Sequence, residues 1–69
     1  MKVTELLKMV RQLPPATQAV FNLYIIEGYN HKEIGVLLNI SEGTSKWHLS
    51  EGRKGLQQMI QLEEANINE

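Results

Sequence analysis

Two stretches of helical periodicity separated by only three residues constrain this chain more than any other feature. In the segment from Asn30 to Lys54, NHKEIGVLLNISEGTSKWHLSEGRK, Asn30 is followed three residues later by Glu33. That is the spacing of a capping box, in which each side chain satisfies a backbone N–H of the other residue. A helix is therefore expected to begin near His31. Ile34, Leu37 and Leu38 recur at three and four residues and define its buried face. Asn39 then stands where the chain must turn, and Asn tolerates the left-handed backbone better than any residue but Gly. After Ile40, Ser41 is a second N-cap, opening a helix from Glu42 to about Gln61 with Leu49, Leu56, Met59 and Ile60 on one face. Two helices joined by so short a turn form a helix-turn-helix.

Upstream, Thr4 can cap a first helix over 4–13, whose apolar stripe is Leu6, Leu7, Val10 and Leu13. Pro14-Pro15 ends it, because a residue before proline is pushed out of the α region and proline offers no backbone donor. Proline suits the first turn of a helix, so a second one is expected over 15–27, with Gly28 as its stop signal. Ala19, Val20, Leu23, Ile26 and one side of Phe21 and Tyr24 should supply most of the core, with Thr17, Gln18 and Asn22 turned outward. Gly35, inside the third helix, costs about 1 kcal/mol relative to Ala. Close crossing of the two motif helices would explain it. Gly43, Gly52 and Gly55 repeat that penalty in the fourth helix. The expectation is an all-α, four-helix domain over residues 1–62, with helices at about 4–13, 15–27, 31–38 and 42–61. The stretch 63–69, EEANINE, should be a frayed acidic tail.

Composition narrows the function classes. At 69 residues an all-helical domain with local contacts is the easiest way to bury sufficient apolar surface. The absence of cysteine removes a disulfide framework and a thiolate zinc site, and two histidines alone make no structural metal site. No apolar run approaches the roughly 20 residues needed to span a bilayer. A cytoplasmic protein is expected, with no membrane partner, no cofactor and no small-molecule substrate. An enzyme is not expected either, since no nucleophile, acid/base pair or phosphate loop is visible. The net charge of −1 argues mildly against a nucleic-acid role. Its distribution softens that point, because Glu63, Glu64 and Glu69 lie in the tail and residues 1–61 carry seven Lys/Arg against five Glu, a net of +2.

The ordered series Leu13-Pro14-Pro15, Val20-Phe21, Glu27-Gly28-Tyr29, His31-Lys32-Glu33-Ile34, Leu38, Ile40-Ser41, Gly43-Thr44, Lys46, Leu49, Arg53-Lys54 and Leu56 resembles region 4 of bacterial RNA polymerase sigma factors of the extracytoplasmic-function type. The resemblance covers about Leu13 to Leu56. It implies a four-helix domain that sets its last helix in the major groove of the promoter −35 element and docks on the flap of the polymerase β subunit, with an anti-sigma factor as a further possible partner. A complete sigma factor also has a preceding domain for the −10 element and core polymerase, and 69 residues hold no room for it. The chain departs from the family pattern at Asn39, Trp47, His48, Glu51 and Gly52.

Given that resemblance, the fourth helix presents Lys46, Ser50 and Lys54 on one strip with Gly43 and Trp47 beside them. Glu42, Gly43, Lys46, Trp47 and Ser50 are the candidates for base edges, because a recognition helix enters the groove by its N-terminal end. His31, Lys32, Thr44, Arg53 and Lys54 are the candidates for phosphates of double-stranded promoter DNA. Each has a plainer reading. Ser41 and Thr44 are explained as caps, and Glu42 by the helix dipole as well as by a cytosine. Lys46 to Lys54 can be an ordinary solvated face. Trp47 either meets thymine methyls and sugar edges or folds against Tyr29 as core, and His48 reads as a surface or turn-packing residue. Two other functions fit the same residues: a region 4-like module that binds polymerase or an anti-sigma factor more than DNA, and the output domain of a two-component response regulator.

Overall fold

The computed structural model describes residues 2–67, which form four helices and no strand. They are α1 (Val3–Val10), α2 (Pro15–Phe21, continued by a π turn over Asn22–Ile26), α3 (His31–Leu38) and α4 (Glu42–Ile67). The core is Met9, Val10, Leu13, Val20, Phe21, Ile34, Leu49 and Leu56, with Leu23, Tyr24, Ile40, Met59 and Ile60 packed around it.

The first helix is shorter and earlier than its apolar spacing suggests. Lys2 occupies the N-cap without a side-chain bond, so Thr4 lies inside the helix and caps nothing. The C-terminal end tightens before the prolines. Gln12 N–H donates to Met9 O at 3.0 Å and Leu13 N–H to Val10 O at 3.1 Å, the three-residue bonds with which helix ends close. Only this end of α1 meets the body. Met9, Val10 and Leu13 are buried there, whereas Leu6 and Leu7, expected in the core, are exposed.

In α2, Pro15 starts the helix and Val20 and Phe21 enter the core. The helix then widens, with Glu27 N–H donating to Asn22 O at 3.1 Å across five residues. A π turn takes up roughly one more residue than an α turn, so everything after it is rotated relative to the expected stripe. Ile26, expected in the core, is therefore 59% exposed. Thr17 is the opposite correction, because it is buried rather than turned outward. It sits one turn before Phe21 on the same face, and its hydroxyl has a partner. Gly28 closes the segment at φ +80°, a backbone that glycine adopts without steric cost.

The capping box of α3 forms on both sides, with Glu33 N–H donating to Asn30 Oδ1 at 2.8 Å and Asn30 N–H to Glu33 Oε1 at 3.0 Å. Two turns of helix bury only a narrow stripe. Ile34 and Gly35 face the body, while Leu37, about a third of a turn away, is 55% exposed. Leu38, one turn beyond Ile34 at the very end of the helix, is also exposed. Both leucines were expected inside.

Along α4, Ser45, Leu49, Gly52 and Leu56 recur at four and three residues and form the buried stripe. Two of its glycines do more than weaken the helix. A Cβ at Gly52 would lie 3.2 Å from Phe21 Cδ2 and 3.3 Å from Thr17 Cγ2, and one at Gly55 would lie 2.9 Å from Leu13 Cδ2. They are notches into which α2 and Leu13, in the turn after α1, seat. The helix also continues past the expected Gln61 to Ile67, since Gln61, Leu62, Glu63, Glu64 and Ala65 are all good helix formers with no breaker among them. Residues 68 and 69 of the expected tail lie outside the described residues.

Candidate nucleic-acid interface

The geometry of the motif begins at Asn39, which adopts φ 55° and ψ 49°, the left-handed cap that ends α3. Ile40 N–H then donates to Gly35 O at 2.9 Å, folding the turn back over the helix it leaves. This closure is what requires Gly35, since a Cβ there would lie 2.7 Å from Ile40 O. The close approach comes from the turn's own backbone, not from the crossing helix. Ser41 caps α4, its Oγ accepting from Thr44 N–H at 3.0 Å and donating to Thr44 Oγ1 at 2.9 Å. Thr44 accepts from the cap and keeps its own hydroxyl proton to donate outward.

Opposite the buried stripe, α4 presents a solvent face. Glu42, Gly43, Thr44, Lys46, Trp47, Ser50, Arg53 and Lys54 are all exposed. Along its middle, Gly43, Trp47, Ser50 and Lys54 follow one another at four, three and four residues. Three bases (Lys46, Arg53, Lys54) stand against two acids (Glu42, Glu51) on this helix up to Lys54, a local balance of +1. Glu51 is half-buried and borders a groove of about 440 Å³ shared with Trp47, Lys54, Leu13 and Pro14. Trp47 is 58% exposed and is not a core residue.

The two histidines hold this face in place. His31 is half-buried, its ring stacked on Tyr24 with centroids 4.5 Å apart and planes 19° from parallel. Its Nδ1 is 2.8 Å from Ser45 Oγ, and Ser45 is fully buried. Of its two ring nitrogens, only Nε2 remains for a phosphate. His48 is not a plain surface residue. It lies half-buried with Nδ1 2.9 Å from Thr17 Oγ1, tying α4 to α2. Its ring also meets the Trp47 indole edge-on, with centroids 5.0 Å apart at 74°.

Thr17, Ser45 and His48 were absent from the expected site, and the first two left a trace in the sequence. Ser45 falls four residues before Leu49, and Thr17 three and four before Val20 and Phe21. Polar residues inside apolar stripes must find partners when buried. Among the described residues no buried side-chain polar atom lacks one.

Lys32 stands elsewhere, on the outer side of α3. With Tyr29, Glu33, Val36 and Leu37 it lines a second, mainly apolar groove of about 340 Å³, where Val36 is 80% exposed. Among the described residues no cluster of His, Asp or Glu is able to hold a metal ion, and no helix is long and apolar enough to cross a membrane. The family model described as sigma-70, region 4 matches residues 4–56. No curated protein and no solved structure gives a match.

Proposed function

The chain belongs to the sigma-70 region 4 family, and from that membership we propose that it recognises the −35 element of bacterial promoters through the exposed face of α4, in a sigma factor of the extracytoplasmic-function type. Its partners are then promoter DNA and the β flap of RNA polymerase, with an anti-sigma factor as a possible regulator. The observation that carries this reading is the capped start of α4, held against α3 on one side and exposed on the other. Its exposed Glu42, Gly43, Lys46, Trp47 and Ser50 belong to the first turns of the helix, and the first turns of a recognition helix reach base edges. Lys46 donates to a guanine or a phosphate, Glu42 accepts from a cytosine amino group, and Ser50 does either. Thr44, Arg53, Lys54 and Lys32 take phosphates, and His31 contributes through Nε2.

Titration with promoter-like duplexes tests this. One sequence should bind in preference to the others, and Lys46→Ala should abolish the preference. Lys54→Ala should weaken binding to all duplexes alike and lower the salt slope by about 1. Equal, weak binding of every duplex by the unaltered chain would overturn the proposal.

A second reading has its own support. The acidic net charge, Glu51 beside Trp47 and the apolar outer face of α3 suit a module that binds polymerase or an anti-sigma factor with little DNA affinity. Retention by the polymerase flap, with no duplex bound even at low salt, would favour it.

A further inference from the structure

One side chain on the exposed face of α4 is explained by neither capping nor charge. Trp47 holds most of an indole in water, between Lys46 and Lys54 on a strip that also carries Ser50. The indole borders the groove that Leu13, Glu51 and Lys54 also line, and most of its surface stays in water. The residue one turn back on that strip is Gly43, and a Cβ built there would meet only Ser41 Oγ, at 3.9 Å. Gly43 carries no side chain to stand between the leading end of the helix and Trp47.

The ring is also held from behind. His48 packs edge-on against it at 5.0 Å, and the imidazole is itself bonded through Nδ1 to Thr17 Oγ1 at 2.9 Å. Thr17 is buried on α2, with its methyl against Gly52 of α4. A rigid element thus orients His48, and His48 orients the indole.

Building on the DNA-binding reading above, we propose that Trp47 reads thymine through its C5-methyl group, with Thr17 and His48 as positioning residues. The major groove offers one apolar feature among its donors and acceptors, and that feature is the thymine methyl. An indole has the apolar face to cover it, and the flanking Lys46, Arg53 and Lys54 match the phosphates of a duplex rather than an apolar protein surface. Thymine is thereby distinguished from cytosine at the contacted position without a hydrogen bond.

Replacement of thymine by deoxyuridine removes the methyl and leaves the base pair intact. The duplex that the full chain selects from a random-sequence pool should contain at least one thymine whose replacement weakens binding about fourfold, the burial of one carbon. Trp47→Ala should bind the thymine and deoxyuridine duplexes alike. Thr17→Val should shrink the discrimination, and Thr17→Ser, which keeps the hydroxyl, should restore it. Trp47 is the only tryptophan, so its shielding from acrylamide quenching by the selected duplex provides an independent readout. Indifference of the unaltered chain to deoxyuridine, or a penalty that persists in Trp47→Ala, would overturn the methyl contact while leaving sequence-selective binding in place. Full discrimination in Thr17→Val would overturn the positioning role. Absence of any sequence preference would overturn both this proposal and the reading beneath it.

Discussion

At Gly35 and Gly43, two glycines in neighbouring helices carry opposite predictions that only their surroundings distinguish. Both cost their helix about 1 kcal/mol relative to alanine. At Gly35 a methyl would meet Ile40 O at 2.7 Å, a backbone atom that cannot move without opening the turn. Gly35→Ala should therefore lower stability by about 1–3 kcal/mol despite its better propensity. At Gly43 the nearest atom is 3.9 Å away, so Gly43→Ala should raise stability by up to about 1 kcal/mol. Urea denaturation of both variants checks the pair, and a shared sign would contradict the packing account. Asn39, Asn30 and Ser41 were legible at this scale because capping and left-handed turns are local chemistry. Thr17 and Ser45 were not, since a hydroxyl on an apolar stripe declares that it is buried without naming its partner.

Among the elements, α3 and the start of α4 follow their sequence closely because each begins at a side-chain cap. Ser41→Ala should cost about 1 kcal/mol and speed amide exchange at Thr44, whose N–H loses its acceptor. Unchanged exchange there would mean that the cap contributes nothing. The other elements depart from their patterns for reasons that lie outside them. The π turn in α2 accompanies the stacking of Tyr24 on His31 of the next helix, a contact that no local propensity encodes. It carries Ile26 out of the core. Leu6, Leu7 and Leu37 have helical spacing and still face solvent, because apolar periodicity reports which face a helix would bury and not whether a neighbour reaches it.

For the whole molecule, the decisive feature is α4, 26 residues long and so about 39 Å from end to end. Its first four turns are pinned by the His31–Ser45 and His48–Thr17 bonds and by Leu49, Gly52 and Leu56. Residues 61–65 are exposed throughout. Amide exchange should therefore be slow around Leu49 and fast over 61–65, because a helix without packing opens locally. Protection at the far end equal to that at Leu49 would point to a partner covering Leu62. The residues by themselves determined an all-α chain, the helix-turn-helix and its caps, and the order of motifs that marks its family, since these depend on interactions within a turn or two. Tertiary structure alone decided which glycines are notches, that the histidines brace α4, and that Trp47 is held out in solvent. Each of those depends on atoms brought together from residues 14 to 42 positions apart, and spacing along a chain carries no record of such distances.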